Sequence, residues 1–387
     1  MSRINLIENA TSSIKLAYYA VHDGLSADIF YGSILEAADR GVKVSLLFDG
    51  IFHNLKGKQI KTYATLFHHP NIEVKLYEPL NILKPWTINN RLHDKFIIVD
   101  DKYVLLGGRN IGDKYYLDDY GDKLVEDRDV LMVSSTEGVL GDFDSYFETF
   151  WNSKYTKSKR SSLVKKLNKT SDKKKSELLD NLNTIRSKYP NRFNQEIDWN
   201  ELSLPTKRVY LVTNPIGLLF KEPTILNEFH YLKENYKENN FFQSPYIITP
   251  KKMGEFSDSV LITNSIYSSP NYFALSGYLK HRKKLFNSNN TIYEYYGEGS
   301  IHAKTYVFDK TISMVGSFNL DPRSAFLSTE SVVVIESEEV AESLTNNIES
   351  LIEQSSSYPE KQKEASWYKN LLVKLFIVLL YPFDFLL

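Results

Sequence analysis

The stretch HDKFIIVDDKYVLLGGRN (93–110) has the pattern of a β-hairpin, with two short apolar runs on either side of a polar turn. Side chains alternate between the two faces of a strand, so His93 and Lys95, two residues apart, project to the same side. A second stretch, HAKTYVFDKTISMVGSFN (302–319), repeats the pattern and begins with His302 and Lys304. The chain therefore contains two hairpins that each present an imidazole and an ammonium group together.

The two hairpins align at six positions with identical spacing, and five of these carry the same residue, which chance does not readily produce. The matched residues are His93, Lys95, Asp100, Gly107, Gly108 and Asn110 in the first hairpin, and His302, Lys304, Asp309, Gly316, Ser317 and Asn319 in the second. A lone His-x-Lys pair on a strand is usually structural, but two complete copies favour a functional site built from both. The small residues that end the return strands let a ligand approach the backbone closely.

Strand-like and helix-like segments alternate around both hairpins, which is typical of an α/β fold. We predict two pseudo-symmetric lobes, each a mixed β-sheet flanked by helices. The predicted boundaries are 1–153 for the first lobe, 154–200 for a basic helical connector, 201–340 for the second lobe, and 341–387 for a C-terminal helix and apolar tail. In the second lobe, NFFQSPYII (240–248) is predicted as one strand and SSPNYFALSGYLKHRKKLFN (268–287) as one helix.

The composition of the 387-residue chain limits the classes of function. Its formal net charge is −1, so the protein as a whole has no electrostatic attraction to nucleic acid. It has no cysteine for disulfides, thiolate metal sites or nucleophilic catalysis. The segment 154–175 departs from this balance, with ten Lys or Arg residues against a single Asp. This segment is either a solvated helix surface or a patch for anionic lipid headgroups.

The apolar segment 371–387 at the C-terminus is interrupted by Lys374, Pro382 and Asp384. A membrane-spanning helix needs about 20 consecutive apolar residues, so we expect this tail to dock at a membrane interface and not to cross it. Together with the basic segment, it predicts a protein that lies peripherally on the cell membrane, on a leaflet that the sequence does not identify.

Brought together, the two hairpins would supply two imidazoles, two ammonium groups and two amides. Such a set suits a single phosphodiester, because the cations and amides stabilise charge that develops on the non-bridging oxygens. One neutral histidine can attack phosphorus while the other, protonated, donates to the leaving oxygen. Asp100 and Asp309 fall where each hairpin turns, a position suited to bracing the turn. Two histidines with a lysine beside each make a poor metal site, so no metal and no cofactor are expected.

The duplicated pattern resembles the phospholipase D superfamily, which takes its motif name from the His, Lys and Asp of each hairpin. Three flanking segments are similar to bacterial cardiolipin synthases of the type C branch: GGRNIGDKYY (107–116), FQSPYIITP (242–250) and FNLDPRSAFLSTE (318–330). The similarity extends over nearly the whole chain. It implies a phospholipase D-like fold and a metal-independent reaction through a phosphohistidine.

The resemblance also assigns roles to individual residues. The catalytic set that it implies is His93, Lys95, Asp100, His302, Lys304 and Asp309. Within this set, His93 would be the nucleophile and His302 the general acid and then base. The implied phosphate-binding residues are the two lysines together with Gly108, Asn110, Ser317 and Asn319. Family members place an acid after each motif to orient a histidine; Glu330 fits this position well, and Asp127 fits it loosely, with Asp129 as a rival.

Four functions are compatible with such a site. We expect a phosphatidyltransferase that moves a phosphatidyl group onto the glycerol hydroxyl of phosphatidylglycerol, whereas attack by water would make a phospholipase D that releases phosphatidic acid. The near-neutral charge disfavours a nucleic-acid phosphodiesterase, and the completeness of both motifs disfavours a non-catalytic membrane-binding protein. The expected partners are phospholipid substrates and a membrane surface, contacted through 154–175 and 371–387. The protein is expected to act as a monomer that does not bind nucleic acid.

Overall fold

A computed structural model of the chain describes residues 1–133, 138–158, 164, 166–217, 219–360 and 365–379. These residues form two compact units. The first comprises Met1–Leu106, Asn110–Leu117 and Val130–Ser203, and the second comprises Gly107–Arg109, Asp118–Asp129 and Leu204–Leu387. Two short segments that lie early in the chain therefore belong to the second unit.

The first unit is built on a mixed sheet of seven strands flanked by helices. The strands are β1 (Ser13–Tyr18), β2 (Lys43–Asp49), β3 (Ile72–Tyr77), β4 (Lys95–Val99), β5 (Tyr103–Gly107), β6 (Asp129–Val133) and β7 (Thr156–Lys157). The helices are α1 (Ser2–Glu8), α2 (Leu25–Asp39), α3 (Ile60–His68), α4 (Val139–Trp151) and α5 (Asn168–Lys188). The strand order is β6-β5-β4-β1-β2-β3-β7. Strands β1, β2 and β3 run parallel, while β4 lies antiparallel to β1 and β5 antiparallel to β4.

Helix α5 covers α2 on one side of this sheet, so the segment 154–200 contributes to the core of the first unit. Gly32 of α2 allows the close approach, because a Cβ at this position would lie 2.8 Å from the carbonyl oxygen of Leu178. The side chains of Leu178 and Leu182 are fully buried, and this removal of apolar surface from water stabilises the helix pair. Within the basic segment, Lys175 also forms an ion pair with Asp39 at the end of α2.

The second unit contains a mixed sheet of eight strands. The strands are β8 (Arg208–Thr213), β9 (Phe241–Gln243), β10 (Val260–Asn264), β11 (Thr291–Tyr295), β12 (Thr305–Phe308), β13 (Ile312–Gly316), β14 (Ser331–Glu336) and β15 (Ser355–Ser357). The helices are α6 (Thr224–Asn235), α7 (Tyr272–Asn287), α8 (Pro322–Phe326), α9 (Glu338–Ile352) and α10 (Trp367–Leu379). The strand order is β15-β11-β10-β9-β12-β13-β14-β8.

The two sheets repeat one topology. Apart from β8, the order β14-β13-β12-β9-β10-β11-β15 corresponds strand for strand to β6-β5-β4-β1-β2-β3-β7. In both sheets three neighbouring strands run parallel, and the hairpin that carries the motif pairs antiparallel with the first of them. The prediction of an α/β protein with two related lobes, each a mixed sheet flanked by helices, is therefore confirmed.

Two elements of the second unit are shorter than predicted. Strand β9 ends at Gln243, and the prediction of a strand through 248 was wrong because Pro245 has no amide hydrogen with which to continue the ladder. Helix α7 begins at Tyr272 and not at 268. The side-chain oxygen of Asn271 caps it by accepting hydrogen bonds from two amides of the first turn, at 3.1 and 3.2 Å.

The two segments predicted to contact a membrane are only partly described. Residues 159–163 and 165 of the basic segment lie outside the described residues, and so do residues 380–387 of the tail. Helix α10 carries the first part of the tail. Across the described ranges, the structure contains no helix with both the length and the apolar character needed to cross a bilayer.

Candidate active site

Both motif hairpins close with the same tight turn. Asp100 and Asp101 in the first, and Asp309 and Lys310 in the second, have left-handed backbone angles, with φ between +49° and +54°. In each turn the amide that follows these two residues donates to the carbonyl that precedes them, at 3.0 Å. This is a type I′ turn, whose twist matches that of the strands. Because a two-residue turn fixes the register of a hairpin, it also fixes which residues begin the first strand at the other end.

Asp100 joins its turn to the start of β1. Its carboxylate oxygens accept hydrogen bonds from the amides of Thr11, Ser12 and Ser13 at 2.7–2.9 Å and from the hydroxyls of Thr11 and Ser12 at 2.8 Å. Burial acts to raise the pKa of Asp100, but these donors outweigh it and hold the pKa below its ordinary value of 3.8. Asp100 lies at the opposite end of β4 from Lys95, so its contacts are those of a residue that braces the hairpin.

Replacing Asp100 with Asn should lower the free energy of unfolding by about 1–3 kcal/mol at pH 7, because the charge and one acceptor oxygen are lost. The folded-state pKa is depressed, so this stabilisation is present above the unfolded pKa and is lost as the pH falls. The difference between wild type and Asp100→Asn should therefore shrink below about pH 4. Urea unfolding at pH 7 and pH 3 measures both effects, with Asp101→Asn, exposed on the same turn, as control. Equal destabilisation by the two substitutions would contradict the bracing role.

In the first unit the motif residues collect around an aromatic ring. His93 packs edge-on against Tyr19, with ring centroids 4.9 Å apart. The Lys95 ammonium lies 5.3 Å from the centre of the same ring and donates a hydrogen bond to the carbonyl of His93. Lys95 is fully buried, whereas His93 is partly exposed. Tyr19 and the backbone therefore fix the ammonium group beside an imidazole that solvent can reach.

In the second unit a buried carboxylate holds the motif histidine. Nδ1 of His302 lies 2.6 Å from Oδ2 of Asp127, which is fully buried. Burial acts to raise the pKa of Asp127, but the positive charges of His302 and Lys304 outweigh it and the pKa is well below its ordinary range. An ionised carboxylate only accepts hydrogen bonds, so the shared proton resides on Nδ1 and the carboxylate fixes the orientation of the ring.

Lys304 lies close to His302 in a buried position. Its ammonium nitrogen is 2.9 Å from Nδ1 of His302 and donates to the carbonyl of the same residue. Burial lowers the pKa of Lys304 to about 8, although the negative charges of Asp127 and Glu330 oppose this. At neutral pH the group is thus mostly protonated, a compact buried cation suited to an anionic oxygen.

The hydrogen-bond register decides which acids correspond in the two halves. The amide of Ser317 donates to the carbonyl of the residue that follows Glu330, at 2.9 Å, and the amide of Gly108 donates to the carbonyl of the residue that follows Asp127, at 3.1 Å. Asp127 and Glu330 therefore occupy equivalent positions. Asp129, the rival, has a different partner: its Oδ2 accepts a hydrogen bond from Arg109 at 2.6 Å.

The same register explains why the two motifs differ at one position. A Cβ on Gly108 would lie 2.2 Å from Oδ1 of Asp127, so a side chain here would displace the carboxylate that holds His302. At the equivalent position, the hydroxyl of Ser317 donates to Oε2 of Glu330 at 2.5 Å. The glycine makes room for a short acid, and the serine supports a longer one.

Three predicted site residues have a buried side-chain oxygen with no hydrogen-bond partner among the described residues. They are Asn110, Asn319 and Asp309. The two asparagines lie just beyond the return strands of their hairpins, which end at Gly107 and Gly316. Buried polar groups are normally satisfied, and a half-turn of an amide exchanges its oxygen for its NH₂ group. Each asparagine thus retains bonding capacity that a phosphate oxygen could take up.

Two residues that lie near the motif lysines and histidines, Asp321 and Tyr19, were not predicted from the sequence. Asp321 is buried and caps α8 by accepting from the amide of Ser324 at 2.8 Å. Burial raises its pKa to about 6, and its charge acts on Lys304. The Asp-Pro pair that opens α8 is a recognisable N-cap signal, although it does not reveal the neighbouring lysine. No sequence signal marked Tyr19, since its contact with His93 depends on how β1 pairs with β4.

Comparisons with known proteins identify the family to which the chain belongs. A family model described as cardiolipin synthase, PLD-like domain, matches residues 4–151 and 256–352, which is more than half of the chain. The chain belongs to the phospholipase D superfamily. Its resemblance to cardiolipin synthases is thereby confirmed, and it is a phospholipase D-type enzyme, a phosphatidyltransferase or phosphodiesterase.

Individual relatives of this phospholipase D-type chain are distant but cover most of its length. It is 27% identical to cardiolipin synthase C of Escherichia coli (strain K12), over 96% of this chain and 84% of that protein. It is 26% identical to cardiolipin synthase 2 of Staphylococcus epidermidis, over 96% of this chain and 69% of that protein. The crystal structure of phosphatidylserine synthase from Haemophilus influenzae Rd KW20 superposes with a TM-score of 0.66 at 16% identity, covering 100% and 92% of the two chains. That likeness shows a shared fold.

Within the described part of this phospholipase D-type chain, no group of three or more His, Asp or Glu side chains is arranged to hold a metal ion. The residues that the structure brings together in the second unit are His302, Lys304, Asp127, Gly108, Ser317 and Glu330. Those in the first unit are His93 and Lys95, with Tyr19 beneath them, while Asp100 lies at the far end of the hairpin.

Proposed function

We propose that this protein transfers a phosphatidyl group, through a covalent phosphohistidine, onto phosphatidylglycerol to form cardiolipin. The observation that carries the proposal is the duplicated His-Lys hairpin, in which one imidazole, that of His302, is held by a buried carboxylate. The similarity to proteins named cardiolipin synthase supports the choice of lipid donor and acceptor.

In the proposed first step, the neutral imidazole of His93 attacks the phosphorus of one phosphatidylglycerol molecule. The bond from phosphorus to the headgroup oxygen breaks, and protonated His302 gives that oxygen a proton, so glycerol leaves and a phosphatidyl-histidine remains. In the second step, the terminal hydroxyl of another phosphatidylglycerol gives its proton to His302 and attacks the phosphorus. The phosphorus–nitrogen bond then breaks, which releases cardiolipin and restores both histidines.

The surroundings of His302 support its role as the acid and base. A carboxylate on Nδ1 fixes the tautomer and stabilises the imidazolium, so that Nε2 carries the transferred proton. The ammonium groups of Lys95 and Lys304, with the amides of Asn110 and Asn319, would hold the non-bridging phosphate oxygens. The two histidines would titrate as a coupled pair, and the pH profile of the reaction would report on the pair.

We also propose that the enzyme acts at a membrane surface, with α10 as one contact. Seven side chains on the outer face of this helix are exposed although all are apolar or aromatic: Trp367, Tyr368, Leu371, Leu372, Leu375, Val378 and Leu379. The other face packs on α7 through Val373 and through Phe376, whose ring lies 6.2 Å from that of Phe273. A helix whose exposed side chains are mostly apolar, with Trp and Tyr at one end and Lys374 as an exposed cation, is suited to lie in a lipid interface.

The deciding experiment is lipid mass spectrometry after incubation of the full chain with phosphatidylglycerol vesicles in H₂¹⁸O and without added metal. Cardiolipin and glycerol in equal amounts, without ¹⁸O in the lipid, are the expected products. Phosphatidic acid labelled with ¹⁸O as the sole product would show that water is the acceptor, and the transferase proposal would be wrong. Absence of lipid turnover, with cleavage of a single-stranded oligonucleotide in a parallel reaction, would overturn the lipid substrate itself.

A further inference from the structure

The loop between β3 and β4 exposes a run of large apolar side chains. The exposed fractions are 62% for Leu80, 87% for Ile82, 85% for Leu83, 53% for Trp86 and 50% for Ile88. Residues 79–89 contain no acidic side chain and one basic side chain, Lys84. Single exposed leucines are ordinary, but five large apolar or aromatic side chains exposed within eleven positions are unusual for a surface that faces only water.

In the first sheet, this loop lies at the same edge as His93, where the parallel strands have their carboxyl ends. Strands β1, β2 and β3 are parallel, so the loops that follow them emerge at one edge. Tyr18 at the end of β1 pairs with Lys95 at the start of β4, which puts the motif residues at that same edge. The loop after β2 closes against the loop after β3, since a Cβ on Gly50 would lie 2.5 Å from the backbone of Pro79.

Arg91 connects the base of the loop to the sheet. The side chain of Arg91 is almost completely buried, lies 3.3 Å from the carboxylate of Asp49 and donates to the carbonyls of Glu78 and Thr87, both at 3.0 Å. Thr87 itself is buried, within the short 3₁₀ helix Pro85–Asn89. Arg91 thus joins both ends of the loop to the sheet, two residues before His93.

We propose that residues 79–89 form an interfacial loop that inserts its apolar side chains into the lipid bilayer beside His93. A phospholipid keeps its acyl chains in the bilayer while its phosphate reacts, so the reacting edge of the sheet has to touch the membrane; this step rests on the proposed function. The charge of the loop also fits an anionic bilayer, because Lys84 is accompanied by no acid. Trp86 suits the boundary between headgroups and acyl chains.

The test compares wild type with the double variant Ile82→Ser, Leu83→Ser and with Leu202→Ser. Leu202 is a matched control, since it is 68% exposed in the same unit. It lies shortly after Asp198, which lines a surface cavity together with Asp100. Asp100 is at the edge of the sheet opposite to His93, so Leu202 is expected to lie far from the loop. Sedimentation with vesicles of equal parts phosphatidylglycerol and phosphatidylcholine measures binding. The double variant should bind roughly 10- to 100-fold more weakly, and Leu202→Ser like wild type.

Activity on two forms of substrate separates insertion from a direct role in the site. The double variant should lose turnover of vesicles in proportion to its binding and keep wild-type turnover of a monomeric short-chain phosphatidylglycerol. Equal vesicle binding by wild type and double variant, or equal loss in Leu202→Ser, would overturn the proposal. So would loss of turnover on the monomeric lipid with binding intact, which would make the loop an acyl-chain pocket. Binding is measured without turnover, so the loop remains testable even if the proposed reaction is wrong.

Discussion

His93→Asn and His302→Asn should each lower turnover of phosphatidylglycerol at least about 1,000-fold, because in the proposed mechanism His93 forms the bond to phosphorus and His302 transfers the proton to and from oxygen. The unfolding midpoint should change little for His93→Asn, since this side chain is partly exposed. Lipid mass spectrometry under single-turnover conditions measures the loss. His69→Asn is a suitable control, because His69 pairs with Asp39 before the start of β3, at the opposite edge of the sheet. Retention of more than about a tenth of the activity by either motif variant would contradict the mechanism.

A substrate with a good leaving group should distinguish the roles of the two histidines. Phosphatidyl-p-nitrophenol releases an anion that needs no proton, so the first step no longer depends on a general acid. His302→Asn should then give a burst of nitrophenolate equal to the enzyme concentration and a phosphatidyl group on the peptide that contains His93. His93→Asn should give neither. A burst from His93→Asn, with the adduct on His302, would reverse the assignment.

Asp127→Asn should lower turnover by about 100- to 10,000-fold, because an amide no longer fixes the Nδ1 proton of His302 or stabilises its positive charge. The pKa of Asp127 lies well below its ordinary range, so the carboxylate is ionised throughout an assay between pH 5 and about 9. In the variant, the pH at which the acid form of the histidine pair is lost should shift downward by about one unit or more. The profile of kcat/KM against pH measures this shift.

The matched control for this prediction is Asp129→Asn. Asp129 is two residues away and its carboxylate contacts Arg109, so its loss should cost stability and leave the pH profile in place. Gly108→Ala should resemble Asp127→Asn, because its new methyl group would displace the same carboxylate. Gly141→Ala in α4, where a Cβ meets nothing within 4 Å, should be silent. If Asp129→Asn shifts the profile as Asp127→Asn does, Asp127 has no specific role toward His302.

The hairpins could be predicted from the sequence because strand alternation and turn residues are local signals. The choice between Asp127 and Asp129 could not, because the segment between Asn110 and Asp127 is longer than the one between Asn319 and Glu330. Spacing along the chain therefore does not show which acid in the first half corresponds to Glu330. The hydrogen-bond register identifies it as Asp127. The contact between Tyr19 and His93 likewise depends on pairing of strands that are distant in sequence.

The packing of the segment 154–200 and the exposure of residues 79–89 also depend on tertiary structure, which the sequence does not reveal. A run of charged residues predicted a connector, and the structure buries Leu178 and Leu182 of that segment against α2 in the first unit. The apolar residues of 79–89 could not be separated from core residues by sequence, since hydrophobicity does not report whether a loop folds inward. Their exposure is evident only once Arg91 is seen to close the base of the loop.

The pairing of Gly108 with Asp127, and of Ser317 with Glu330, constrains how the duplicated halves can exchange sequence during evolution. Copying the serine into the first half alone would collide with the short acid, and copying the glycine into the second half would remove the hydroxyl that supports the long acid. Either replacement made alone is therefore expected to impair the site. The residues at this position therefore cannot be exchanged between the two halves. We expect a homologue with serine at position 108 also to carry a changed residue at position 127.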